Sequence, residues 1–216
     1  MSAGPALPTS LRERKKARLR VELTRAAVEL FKEQGFDATT VEQIVAKVET
    51  SPRTFFRYFG TKEDVLFGDT PDRLQSLREH LDTAGSAEQP IATLKDALIE
   101  QIVNFTNFDD PQLEADCAEL WVSEPGPRRR YIEIVLEWED VISDYLARCW
   151  HSNAHSVECR LTAMALIAAV RVSLERGPAG VEAARQALQQ GFALLDGGIH
   201  DPVHHKRAVA TLPGLS

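Results

Sequence analysis

Along most of this chain apolar residues recur three and four positions apart, the period of a helix with one buried face. Leu19, Leu23, Ala26, Ala27, Leu30 and Phe31 form the first such stripe, and Gly35 follows where a left-handed residue ends a helix. Residues 36–62 are punctuated more tightly. Thr40, with Gln43 three positions on, makes a capping-box pair, and Val41, Ile44, Val45 and Val48 supply an apolar face. Ser51-Pro52 sets a cap before a proline at the first helical position. The helix it opens, PRTFFRYF, has room for about two turns before Gly60. Thr61 caps the next helix. The run Gly68-Asp69-Thr70-Pro71 interrupts it, because proline inside a helix costs about 3 kcal/mol. A new helix is therefore expected to start at Pro71, capped by Thr70, and to run through Leu74, Leu77 and Leu81.

The same period continues to the end. Ile91, Leu94, Leu98, Ile102 and Phe105 mark one helix, and Asp110-Pro111 opens another that ends near Trp121. After a loop, SEPGPRRR, the residues Tyr131, Ile134, Val135, Trp138, Val141, Tyr145 and Cys149 mark a long helix. Val157 to Arg176 is a helix ended by Gly177-Pro178, and Val181, Ala184, Leu188, Phe192 and Leu195 mark the last. The pattern predicts an all-α protein of about nine or ten helices. Residues 1–10 are expected to be a disordered arm, 11–67 a helix-turn-helix domain, 68–197 a larger helical domain and 198–216 a flexible tail.

Charge sharpens this division. The net charge of −7 hides an asymmetry: residues 1–62 carry 12 Lys/Arg against 7 Asp/Glu, and the remainder 13 against 25. A basic front joined to an acidic body suggests a polyanion-binding module on a domain with another task. No stretch is apolar enough to span a membrane, and the N-terminus lacks the pattern of a secretory leader. Cys117, Cys149 and Cys159 are an odd, scattered set, so a cytoplasmic protein without a disulfide framework is expected. There is no P-loop, dinucleotide fingerprint or nucleophile elbow, so neither a cofactor nor an enzyme is expected. His151, His155 and Cys159 are spaced by four, but His151 precedes the helix, and His200, His204 and His205 sit in the tail. No metal site is expected from either group.

Two short helices joined by a tight turn, the second opening with Ser-Pro, suit the DNA major groove. Arg53 and Arg57 can pair with phosphate or fork onto guanine, and Thr54 can meet a phosphate or a thymine methyl. Tyr58 offers a hydroxyl to the backbone, Lys62 can reach a phosphate, and Phe55 and Phe59 can anchor the helix. By periodicity alone, a helical hairpin whose aromatics are merely core remains open.

The run TTVEQIVAKVETSPRTFFRYFGTKEDVLF, preceded by LFKEQGF, resembles the TetR family of bacterial transcriptional regulators over Arg18 to Phe67. The resemblance implies a three-helix DNA-binding domain, a helical ligand-binding and dimerisation domain, and a homodimer whose two heads move when an effector binds below. On that basis Thr40 touches a phosphate, and Arg53, Thr54, Phe56, Arg57, Tyr58 and Lys62 line the DNA face. The family often has Tyr where this chain has Phe56, which removes a phosphate hydrogen bond. It commonly has Gly where this chain has Glu49, which costs up to about 1 kcal/mol if that turn needs positive φ. The expected function is a dimeric repressor released from a palindromic operator on double-stranded DNA by a small effector. An enzyme or scaffold with a vestigial DNA-binding module is the alternative.

The body is less informative. Phe105, Phe108, Trp121, Trp138 and Tyr145 are candidates to line an apolar effector pocket, and each taken singly is as readily an ordinary core aromatic. Arg128 in the cluster Arg128-Arg129-Arg130 is placed at its mouth to meet a phosphate or carboxylate, the alternative being a solvated start to a helix. The break near Pro71 and the TFFRYF run are similar to a family branch linked to mycofactocin and acyl-CoA ligands. An acyl thioester is therefore the first candidate effector, and a greasy aromatic molecule the second. The resemblance places the dimer contacts on the last two helices, here Leu161, Ala165, Ala168, Val172, Leu188 and Phe192.

Overall fold

The computed structural model describes residues 11–68, 70–105, 110–174 and 180–197. The expected arm over 1–10, Phe108, the Gly177-Pro178 stop and the tail over 198–216 lie outside the described residues. Those described form nine α-helices and one 3-10 turn, with no strand among them. Helix α1, Leu11–Gln34, ends at Gly35, whose φ is +88° and whose N–H reaches the Phe31 carbonyl at 3.0 Å. Helices α2, Val41–Lys47, and α3, Pro52–Tyr58, follow.

Where a further helix was expected after Thr61, the chain makes only the 3-10 turn Glu63–Leu66 before α4, Thr70–Ala84. The interruption has a local cause. Gly68 adopts φ +55°, and the Thr70 hydroxyl donates to the Phe67 carbonyl at 2.6 Å. Next come α5, Pro90–Phe105, and α6, Pro111–Ser123, the latter capped by the Asp110 carboxylate on the Leu113 N–H. The expected loop SEPGPRRR is a correction: α7 spans Pro125–Trp150, and the Pro-Gly-Pro run is its first turn. The first N–H groups of a helix have no partner to lose, so prolines there cost little. Helices α8, Val157–Leu174, and α9, Val181–Asp196, complete the fold.

Two apolar clusters organise the packing. The first joins Leu23, Phe31, Ile44, Phe55 and Phe59 with Val65 and Leu66. It also takes in Cys117 and Leu120 of α6 and Ile134 of α7, so the contact continues across residue 67. The second cluster is built from α4, α5, α7, α8 and α9 around Leu77, Leu98, Ile142, Leu146 and Leu166. Trp138 packs against both. Charge reinforces the join, because Arg25 pairs with Asp110 at 2.7 Å and Lys32 with Asp116 at 2.6 Å, fastening α1 to α6. The Lys32 hydrogen bond holds the Asp116 carboxyl below its ordinary range. Burial between these helices pushes the Cys117 thiol up to about 12, so it serves as packing rather than as a reactive group.

The last two helices correct part of the dimer expectation. Leu188 and Phe192 are 0% and 3% exposed, packed inward within one subunit. The period of α9 marks its buried face, and that face is filled by its own chain. On α8, Leu161 and Val172 are 68% and 53% exposed, Ala168 is exposed and Ala165 half-buried. Gly191 lets α9 approach α8 closely, since a Cβ there would collide with the Ser173 hydroxyl and stand 3.3 Å from the Ala169 carbonyl. Gly191→Val should therefore cost about 1–3 kcal/mol in urea unfolding, whereas wild-type stability would contradict this packing.

Candidate nucleic-acid interface

Helices of seven residues are too short to hold themselves together in water, so α2 and α3 depend on caps and packing. Thr40 closes α2 with a reciprocal box: its hydroxyl accepts the Gln43 N–H at 3.3 Å, and Gln43 Oε1 accepts the Thr40 N–H at 2.8 Å. Gln34, at the end of α1, donates to both Gln43 and Thr39 and so fixes the box to the first helix. In α3 the Ser51 hydroxyl accepts the Thr54 N–H at 3.2 Å, and Pro52 occupies the first helical position. Phe55 and Phe59 are fully buried, with ring centroids 5.2 Å apart, and bind α3 to the head.

That anchoring leaves one side of α3 outward. Arg53, Phe56 and Arg57, three and four apart, are exposed, and neither arginine is ion-paired among the described residues. The Arg57 guanidinium lies 5.2 Å from the Tyr58 ring centre, and Tyr58 is half-buried. Thr54 is half-buried too, its hydroxyl 3.0 Å from that of Ser51. Thr40 is exposed at the start of α2. Sequence reasoning passed over Arg14, Lys15 and Lys16, exposed positive charges near the start of α1 that the charge run itself signals.

Lys62 sits differently from its expected phosphate role. Its ammonium donates to the carbonyls of Phe36 and Thr39 at 2.7 and 2.8 Å and lies 4.1 Å from the Phe36 ring centre. It staples the loop between α1 and α2 to the turn after α3. Glu49, in the turn between α2 and α3, has φ +52°, a conformation that suits glycine. The positive φ on which the anticipated strain depends is thus present.

Of the aromatic residues proposed to line a pocket, the three whose side chains are described, Trp121, Trp138 and Tyr145, are spread over both clusters. Trp121 lies at the join between head and body, stacked on Phe67 at 5.3 Å and on Tyr131 at 6.0 Å. Trp121 is half-buried, and its indole N–H donates to the Leu66 carbonyl at 3.2 Å, which pairs its one polar atom. Tyr145 is fully buried in the body cluster, and that burial raises its phenol pKa. Trp138 lies between the two clusters. Arg128 is exposed and donates back to the Val122 carbonyl at the end of α6. Phe108 and the Phe105 side chain lie outside the described residues.

Two hollows open on the body surface, and neither is lined by Trp121, Arg128, Trp138 or Tyr145. One, of about 280 Å³, is lined by Asp140, Ser143, Asp144, Ala154, His155 and Arg160. The other, of about 550 Å³, includes Pro90, Ile91, Lys95, Trp150 and Asp196. No group of three or more His, Cys, Asp or Glu among the described residues is placed to hold a metal ion.

Sequence reasoning also missed the pairing of Arg130, which lies where head meets body. Arg130 donates from Nε to Asp64 at 2.7 Å and from Nη1 to Glu133 and Glu137. Its partner Asp64 is far away in sequence, so only the excess of Asp and Glu over Lys and Arg after residue 62 hinted that a lone basic cluster would be paired.

Residues 23–67 match the family model for bacterial regulatory proteins of the tetR family, and residues 88–200 match that of the MftR C-terminal domain. Over 87 residues the chain is 41% identical to the HTH-type transcriptional regulator TcmR of Streptomyces glaucescens, covering 40% of this chain and 38% of TcmR. Over 124 residues it is 29% identical to MftR of Mycobacterium tuberculosis, named for a regulatory role in mycofactocin biosynthesis, covering 56% and 61% of the two chains. The chain thus spans less than two thirds of these curated relatives. Among solved structures, Thermus thermophilus FadR, a TetR-family transcriptional repressor in complex with lauroyl-CoA, is 25% identical with a TM-score of 0.51. That match covers 91% of this chain and 100% of the other.

The strained turn gives a direct check. Glu49→Gly should relieve about 1 kcal/mol of left-handed backbone strain and raise the thermal midpoint. An unchanged or lower midpoint would show that Glu49 costs nothing there.

Proposed function

This chain belongs to the tetR family of bacterial regulatory proteins, and we propose that it is a ligand-responsive DNA-binding repressor that acts as a homodimer. The observation that carries this reading is the division of α3, with Phe55 and Phe59 buried while Arg53, Phe56 and Arg57 face outward. Two arginines without an ion pair among the described residues, one helical turn apart, suit base edges and phosphates. Thr40 and Thr54 add hydroxyls, Tyr58 braces Arg57, and Lys62 acts by holding the loop rather than by reaching DNA. Arg14, Lys15 and Lys16 contribute long-range attraction. The protein works in the cytoplasm, where its DNA is, and acts through binding rather than catalysis.

The dimer uses the outward face of α8, namely Leu161, Ala168 and Val172 with Ala165 at its edge, joined by Leu194 of α9, which is exposed. Covering so much exposed apolar surface favours self-association. A twofold protein then reads a palindromic operator through two α3 helices. The effector is a small apolar molecule, with an acyl thioester favoured. The match of residues 88–200 to the MftR C-terminal domain and the lauroyl-CoA held by the FadR relative support that choice.

Selecting genomic fragments with the purified protein and titrating them by fluorescence anisotropy tests the reading. Affinity should fall with salt, with a slope of about 0.9 per phosphate contact, and Arg57→Ala should cost about 1–3 kcal/mol. Failure to select any duplex at low salt would overturn the DNA-binding role. Lauroyl-CoA should release the duplex, and indifference to it would exclude the acyl-thioester class while leaving DNA binding intact. In sedimentation velocity the wild type should run as a dimer and Leu161→Asp as a monomer. A monomeric wild type would refute the proposed interface.

A further inference from the structure

The turn that leaves α3 is gripped from the body. Asp64 Oδ2 accepts the Thr61 N–H at 2.9 Å and the Thr61 hydroxyl accepts the Asp64 N–H at 3.2 Å, so the pair closes the turn after Gly60. The other carboxylate oxygen, Oδ1, takes the hydrogen bond from Arg130 Nε at 2.7 Å. The two side chains are only 15% and 21% exposed, which shields the ion pair from the solvent that weakens surface pairs. On the body side Arg130 is held by Glu133 and Glu137 of its own helix.

One turn earlier, Gly126 rests on the head. A Cβ there would stand 2.9 Å from Phe36 Cε1 and 3.4 Å from Glu63 Oε1. The same Phe36 ring carries the Lys62 ammonium, which reaches the Phe36 and Thr39 carbonyls just before Thr40. The start of α7 therefore touches both the exit of α3 and, through Phe36 and Lys62, the entrance of α2. Helix α7 is continuous for 26 residues, about 39 Å at the helical rise. Its later residues Val141, Ile142, Tyr145 and Leu146 lie in the body core.

We propose that the first two turns of α7 form a strut that sets the orientation of the α2–α3 unit, with Arg130 and Gly126 as its positioning residues. The inference rests on the DNA-binding reading and extends it. A displacement in the body core reaches the reading head along α7. Arg130, in the cluster Arg128-Arg129-Arg130, belongs to this mechanical contact.

The test uses the full chain and a duplex selected with the wild type. Arg130→Met should weaken duplex binding about tenfold, the scale of one charge-assisted hydrogen bond. Amide exchange over residues 60–67 should quicken while that around Ile142 stays as in the wild type. Arg130→Lys should recover part of both effects, Gly126→Ala should reproduce them by a different route, and Arg129→Met, at an exposed position, should change neither. Wild-type affinity and exchange in Arg130→Met would overturn the strut. So would quickened exchange spread equally through the body core, because that is the mark of a general loss of stability. If the wild type bound no duplex at all, the DNA-binding reading would fall, and exchange over residues 60–67 would still decide the strut.

Discussion

A seven-residue helix spans about two turns, well short of the roughly 12–15 residues at which an isolated helix becomes marginal in water. Helix α3 therefore has its shape because Phe55 and Phe59 are buried against the rest of the head, and because Ser51 and Pro52 fix where it begins. The same requirement decides which side chains are left over. With two aromatic residues turned in at a spacing of four, the residues between and beside them, Arg53, Phe56 and Arg57, must face out. Packing and presentation are one constraint here, and the charge of the presented face follows from which residues remain on it.

The head does not close its core alone. Cys117, Leu120 and Ile134 from α6 and α7 complete it, and Trp121 spans the join between Phe67 and Tyr131. Charged contacts follow the same line, from Arg25–Asp110 and Lys32–Asp116 to Arg130–Asp64. A reading head so thoroughly embedded in its body cannot reorient without disturbing these contacts, and the body cannot rearrange α6 or α7 without moving the head. That is the physical condition for a ligand in one part to bias DNA binding in the other.

Much of this was legible in the chain. The Thr40–Gln43 box, the Ser51-Pro52 start, the left-handed Gly35 and the interruption before Thr70 are local signals, and local signals report local backbone. Glu49 was legible as a strained position only through the resemblance, which places Gly in that turn, and its φ of +52° fits that expectation. The failures share another cause. Pro125-Gly126-Pro127 reads as a loop by composition, yet prolines are tolerated in a first helical turn. Trp121, Trp138 and Tyr145 are aromatic in any reading, and composition cannot say whether an aromatic ring faces a cavity, a neighbouring helix or a domain join. Leu188 and Phe192 lie on the correct apolar face of α9, but periodicity does not say whether that face meets its own subunit or a second one. The Arg130–Asp64 pair joins residues 66 positions apart, and nothing local in the chain records such a meeting.

In the proposed dimer, two copies of this chain place α3 in successive major grooves of one duplex. Nuclease footprinting of a selected genomic fragment tests this. Two protected half-sites related by a twofold axis are expected, with centres about 34 Å or a whole multiple of it apart along the helix. A single unpaired protected patch, or none at low salt, would contradict it.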